Sequence, residues 1–171
     1  MGHDLRLVRL SVETMTALVD GDLGRASALA GVALTEYFAE HAWLWEIRLE
    51  QVAGDPDALD WIARAAVDVG TGDVVGHVGF HGPPDDGGMV EVAYSVDPAF
   101  RRRGYATAML ATALEWAASE PSVQVVRASI SPDNQGSLAT IRPFGFEHVG
   151  EQWDDDDGLE LLYERPARSR T

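Results

Sequence analysis

Residues 101–107 read RRRGYAT and run straight into the apolar stretch AMLATALEWAA. Arg101, Arg102 and Arg103 stand out in a chain with 28 acidic residues, 13 basic residues and a formal charge of −15. The chemistry that this order of residues serves is anion binding. A helix start exposes unpaired backbone N–H groups and the positive end of the helix dipole, so it attracts phosphate. Several N–H groups reach one diphosphate only where the chain comes close, which Gly104 and the small Ala106 permit. Arginine side chains add charge-assisted hydrogen bonds that amides alone do not supply. The plainer alternative is a loop that turns at Gly104 under solvated arginines. The dinucleotide fingerprint G-x-G-x-x-G is not met at this turn.

A strand must deliver the chain to this turn and a helix must carry it away. MVEVAYSV (89–96) reads as that strand. Leu110, Ala113, Leu114 and Ala117 give the helix one buried face, and Pro121 ends it. Upstream, LRLVRL alternates like a half-buried strand, and residues 12–30 fit one helix or two, interrupted at Asp20 and Gly21. A helix is expected over residues 35–54, with Thr35 as N-cap and Gly54 near its end. Two strand-like runs joined around GTGD make a hairpin, and PPDDGG a loop. Downstream come the strand VQVVRASI, a loop and short helix in SPDNQGSLATIRPFGF, and a last hairpin with WDDDDG at its tip. The expected fold class is α/β: a mixed, mainly antiparallel sheet with flanking helices. One parallel pair should span the strand–helix–strand crossover.

A length of 171 residues suits one domain, expected over residues 1–166, with a frayed tail over 167–171. The negative charge argues against nucleic acid and anionic membranes as partners. It suits a cationic substrate or simply solubility. No apolar run is long enough to cross a membrane, the N-terminus has no signal-peptide segment, and there is no cysteine. A cytoplasmic setting is the default expectation.

The stretch YSVDPAFRRRGYATAML resembles the acetyl-coenzyme A motif R-x-x-G-x-A of the GNAT acetyltransferase superfamily, carried by Arg101, Gly104 and Ala106. SPDNQGSLATIRPFGFEHVG is similar to that family's second cofactor segment, with Asn134, Ser137 and the Gly145–Phe146 pair at matching spacing. The N-x-x-S form and the strand glutamate look most like the branch that acetylates ribosomal-protein N-termini. The resemblance runs from about Val74 to Gly150 and is loose before that. It implies that the strands around Tyr94 and Ser129 splay apart around the pantetheine arm. Tyr94, Ser95 and Val96 would border that arm, and the N–H groups from Arg102 to Thr107, Tyr105 included, would hold the diphosphate. Asn134 and Ser137 would contact the far end of the arm. No metal is implied, and a homodimer is compatible with the family.

Acetyl transfer to an amine requires the amine to lose its proton, a donor for the developing oxyanion, and help for the departing thiolate. By resemblance Glu91 is the candidate base, acting through water with a raised pKa; the alternative is a solvent-facing strand glutamate. Ile141 stands where many relatives have a tyrosine, so Ser137 becomes the candidate for the sulfur, or else a first-turn helix serine. His77 and His81 share a strand face and read as core or surface histidines, His81 alternatively bordering the acceptor. Trp43 and Trp45 read as core or as acceptor wall, and the acidic tip as a solvated turn or a recruiter of cations. The expected activity is acetyl-coenzyme A-dependent N-acetylation of a primary amine, on a small molecule or a peptide N-terminus. The alternative is a non-catalytic acyl-coenzyme A sensor.

Overall fold

The computed structural model describes residues 2–169. Among them seven strands form one sheet: β1 (Leu5–Arg9), β2 (Arg64–Asp68), β3 (Val74–Phe80), β4 (Met89–Val96), β5 (Val125–Ile130), β6 (Glu147–Asp154) and β7 (Gly158–Pro166). Their order is β1-β2-β3-β4-β5-β7-β6, and of these neighbours only β4 and β5 run parallel. The mixed, mainly antiparallel α/β architecture expected from the pattern is therefore the one observed.

Helices cover both faces. On one side α1 (Val12–Val19), α2 (Leu23–Ala30), α3 (Glu36–Glu40) and α4 (Ala42–Gly54) close a core built around Leu18, Phe38 and Trp45. On the other, α5 (Tyr105–Ser119) and α6 (Gln135–Ile141) enclose a second core. Residues 12–30 make two helices because each has its own cap. Ser11 accepts from the Thr14 N–H at 3.1 Å and Asp22 from the Arg25 N–H at 3.0 Å.

The single helix expected over residues 35–54 is broken at His41. The break frees the carbonyl of Phe38, and the buried Trp45 indole donates to it at 2.7 Å. Thr35 does not cap with its side chain; its hydroxyl instead donates to buried Asp97 at 2.7 Å, tying α3 to the far end of β4. The α5 stripe behaves as its periodicity demands, with Leu110, Ala113 and Ala117 wholly buried.

The feature that positions the site is a fork. β4 and β5 pair only from Met89–Val125 to Glu91–Arg127. Beyond that β4 stays with β3 out to Gly76–Val96, while β5 stays with β7 out to Ile130–Leu161. Each strand follows its outer partner, so the two inner edges separate.

The tail is not frayed at its start: Ala167 is buried and Arg168 donates to the carbonyls of Ala118, Glu120 and Val123. An arginine bridging the end of α5 to the following turn is what pins it. Arg170 and Thr171 of the expected tail lie outside the described residues.

Candidate active site

The fork opens into a cleft of about 630 Å³ whose walls are the inner edge of β4, the start of α5 and α6. Tyr94, Ser95, Val96, Arg101, Arg102, Gly104, Tyr105, Ala106, Thr107, Asn134 and Ser137 all line it. Among the described residues, the N–H groups of Gly104, Tyr105, Ala106 and Thr107 donate to no acceptor. The first helical donors have no intrahelical partner by construction, and no side chain caps this helix. Arg102 (φ 63°) and Gly104 (φ 88°) are both left-handed, so the loop curls its amides toward one point. An added Cβ at Gly104 would have His3, 3.9 Å away, as its nearest protein neighbour. The space over this glycine is open to a ligand. Four free donors at a dipole's positive end fit a diphosphate.

Several residues assigned to the cleft contribute differently from expectation. Arg101 donates from Nε to the Val96 carbonyl at 3.0 Å, locking the turn onto the strand. Arg103 does not line the cleft: its guanidinium lies over Phe100 and its carbonyl accepts from His3. The Tyr105 ring is buried, stacked on His3, and its hydroxyl donates to Asp68 at 2.6 Å. That bond, with burial, pushes the phenol up to about 12. Only the Tyr105 main chain is left for a ligand. The Ser95 hydroxyl pairs with Tyr37, because strand alternation turns Ser95 to the α3 face while Tyr94 faces the cleft. Asn134 caps α6 by accepting from the Ser137 N–H at 3.1 Å. Ser137 is thus a first-turn serine, yet its hydroxyl also lies beside that of Tyr94.

Behind the fork lies a second cavity of about 380 Å³, bordered by Glu91, His81, Ser129 and the tip carboxylates. Glu91 accepts from the Ser129 hydroxyl through one oxygen and meets His81 Nδ1 at 2.7 Å through the other. Burial is the largest single influence on this carboxyl and pushes it up. The His81 contact, the Ser129 bond and the Arg127 charge together outweigh burial, so Glu91 sits below the ordinary glutamate range. This corrects the raised pKa expected for it. Glu91 is an ionised carboxylate that orients an imidazole. With Nδ1–H assigned to Glu91, His81 keeps Nε2 as its basic nitrogen.

The acidic tip is a self-held turn that also borders the second cavity. Asp154 holds its own turn, accepting from the Asp156 and Asp157 N–H groups at 2.8 Å. Asp154, Asp157 and Glu160 also bring carboxylate oxygens within 4.8 Å of one another on the cavity wall. Burial, then Asp154, Glu91 and Asp157, raise the Glu160 pKa, which marks crowded negative charge.

A third cavity of about 300 Å³ meets the second at His81, Ala93 and Tyr94. The tryptophans divide: Trp45 is in the core, whereas Trp43 is 58% exposed and lines this cavity. His77 is a core histidine among Phe38, Trp45 and His41, held neutral with a pKa lowered to about 3 chiefly by burial. Sequence reasoning missed the His81–Glu91 pair, whose signal is two polar residues flanking a hairpin loop. It also missed Thr140 and Phe100 in the cleft and Arg48 in the third cavity. Ile141 is buried, so its position is a core position here. Among the described residues, Tyr94 brings the only phenol lining the cleft by its side chain, from β4 instead of α6.

A splayed parallel pair, with free amides at the start of the crossover helix, defines an acyltransferase class of fold. Residues 21–147 match the family model described as the acetyltransferase (GNAT) domain. The chain belongs to the GNAT acetyltransferase family. It is similar to YjdG, an uncharacterized N-acetyltransferase of Bacillus subtilis, with 35% identity over 74 residues. That match covers 43% of this chain and 44% of that protein. A GNAT-family acetyltransferase structure from Bordetella pertussis shares 26% identity, TM-score 0.64, over 94% of this chain and 95% of that one. RimL, a ribosomal L7/L12 α-N-protein acetyltransferase solved with coenzyme A, has the same fold at 17% identity and TM-score 0.60, over 95% and 93%. No described helix is long and apolar enough to cross a membrane.

Proposed function

We propose that this protein transfers an acetyl group from acetyl-coenzyme A directly to a primary amine, on a small molecule or a peptide N-terminus. The observation that carries the reading is the shared wall. Tyr94 borders the cleft with the free amides, the cavity with Glu91 and His81, and the third cavity alike. A donor on one side and an acceptor on the other meet there. Acetyl-coenzyme A would supply the activated acetyl thioester. The amides of Gly104 to Thr107 would hold its diphosphate, and the unpaired inner edge of β4 would hold its arm.

The ammonium first gives one proton to solvent, which frees the nitrogen lone pair, and His81 Nε2 takes the second as nitrogen bonds to the acetyl carbon. Glu91 orients the imidazole and stabilises its cation. The Tyr94 hydroxyl, kept protonated chiefly by burial, returns a proton to sulfur as the carbon–sulfur bond breaks. Glu91, Asp154, Asp157 and Glu160 on one wall favour an acceptor that arrives as a cation. A RimL-like fold supports the peptide N-terminus as one acceptor class. A cytoplasmic setting, where a chain without cysteine needs no oxidising compartment, goes with this proposal.

The test is thiol release from acetyl-coenzyme A with a panel of amines, comparing wild type with Glu91→Gln. Release that depends on both amine and Glu91 supports the enzyme. Tight cofactor binding with no release for any amine would make the chain an acyl-coenzyme A sensor.

A further inference from the structure

Among the described residues, four buried side-chain nitrogens have no hydrogen-bond partner: His41 Nδ1, Arg48 Nε, Arg64 Nε and His77 Nε2. Three of the four belong to residues lining the single 300 Å³ cavity beside His81. Buried polar atoms are nearly always satisfied, so three orphans around one cavity set it apart from the rest of the described interior. The rest of the lining is apolar: Trp43, Leu44, Phe80 and Ala93. Gly79 belongs to it too, and cannot carry a side chain, because its Cβ would lie 2.7 Å from the Ile62–Ala63 backbone.

Arg48 is the unusual member. It donates to Gln51 Oε1 at 2.9 Å and to the His81 carbonyl at 3.2 Å, both neutral. Among the described residues no carboxylate lies within ion-pair reach of it. Burial alone perturbs its pKa, downward, with no acid opposing. In a chain with 28 acidic residues, a partly buried arginine without a counter-charge is a charge left for something else.

We infer that this cavity binds the body of the acceptor, a flat apolar group bearing a carboxylate that Arg48 receives, while the amine end lies at His81 and Glu91. The inference rests on the acetyltransferase reading and names its substrate class: an amine and a carboxylate separated by an apolar spacer. A carboxylate suits the site better than a phosphate. One guanidinium fork answers one planar monoanion, and His41 and His77, both lowered chiefly by burial, add no positive charge. Arg48 donates to the carbonyl of His81, which ties the carboxylate site to the residue whose side chain meets Glu91. Opposite charges in adjoining cavities also favour one orientation of the acceptor. The ammonium is favoured by the acidic wall, and the carboxylate is repelled from that wall toward Arg48.

The experiment compares two amines that differ only in the anion, para-(aminoethyl)benzoate and phenylethylamine, with acetyl-coenzyme A and wild type, Arg48→Gln and Arg48→Lys. Wild type should prefer the benzoate by about tenfold or more in kcat/KM, as charge-assisted recognition implies. Arg48→Gln should erase that preference, and Arg48→Lys should restore part of it. Equal kcat/KM for the two amines in wild type, or equal losses for both in Arg48→Gln, overturns the inference. A calorimetric titration of each amine into the coenzyme A-loaded protein keeps the two readings apart. If no amine is acetylated, the catalytic reading fails. Benzoate affinity that still falls about tenfold in Arg48→Gln then upholds the subsite, and unchanged affinity removes it.

Discussion

On the cleft side of β4 the groups that await a ligand are main-chain amides, those of Gly104 to Thr107, and the unpaired edge of a strand. On the opposite side every such group is a side chain: His81 and Glu91, the carboxylates of the hairpin tip, and Arg48 under α4. On the proposed function, the first set would recognise what is common to any coenzyme A thioester, a diphosphate and an amide-rich arm. The second would discriminate among amines by charge and shape. Main-chain recognition tolerates side-chain exchange except where a Cβ would intrude. Side-chain recognition fails one residue at a time. One fold can thus keep its cofactor while its acceptor drifts.

The contrast can be broken most sharply at Glu91. Glu91→Gln should lower kcat about a thousandfold while leaving coenzyme A affinity within a small factor, because proton-transfer partners contribute on that scale. Rate assays beside calorimetry check both halves, and a matching drop in cofactor affinity would merge the two sides. On the cleft side, Gly104→Val should weaken coenzyme A binding about a hundredfold, roughly 2.7 kcal/mol. The added methyls stand in the ligand's path, and a branched residue at φ 88° pulls the loop away from the shape that presents its amides. The fold should survive, since no protein atom lies closer than 3.9 Å to the added carbon. A titration isotherm equal to wild type would place the diphosphate elsewhere.

His77 offers a test of how dry the acceptor side is. The folded protein holds it at about 3, chiefly by burial, whereas the unfolded chain takes up a proton below about 6.5. Between those values the unfolded state binds more protons, so stability rises with pH and is lost on acidification. From pH 7 to pH 5 the loss should be about 2 kcal/mol greater in wild type than in His77→Gln, measured by urea unfolding. Equal losses in the two proteins mean that water reaches the ring. The smallest effect belongs to the tip. Replacing Asp154, Asp157 and Glu160 by their amides should raise KM for a cationic amine about tenfold at low salt. It should also flatten the rise of KM with salt expected of wild type, since exposed charges are screened within a Debye length. The amide placed at position 154 would keep an oxygen to hold the turn, as Asp154 does now. If KM and its salt dependence stay as in wild type, the carboxylates merely solvate the hairpin.

Much of the turn that opens α5 is legible in the sequence. The turn from Arg101 to Thr107 is a run of consecutive residues, and its helix, strand and glycine are local features with local reasons. The same logic exposes where it stopped. Arg103 is expected in the cleft but lies over Phe100, and the burial of the Tyr105 ring against His3 and Asp68 is a contact across the chain. Only the pairing of β4 with β3 shows the Ser95 hydroxyl facing Tyr37. The helix expected from Thr35 to Gly54 failed for a related reason: residue propensities do not report that Trp45 will claim the Phe38 carbonyl.

By itself, then, the chain's order of residues determined the seven strands, the crossover that makes β4 and β5 parallel, and the tight turn that opens α5. Each of these follows from hydrogen bonding and hydrophobic period over neighbouring positions. Tertiary structure alone decided that His81 meets Glu91, that the tip carboxylates fall beside them, and that Arg48 is left without a counter-charge. Those meetings depend on strand register and on how far the two edges diverge, which pairings distant in the chain settle together.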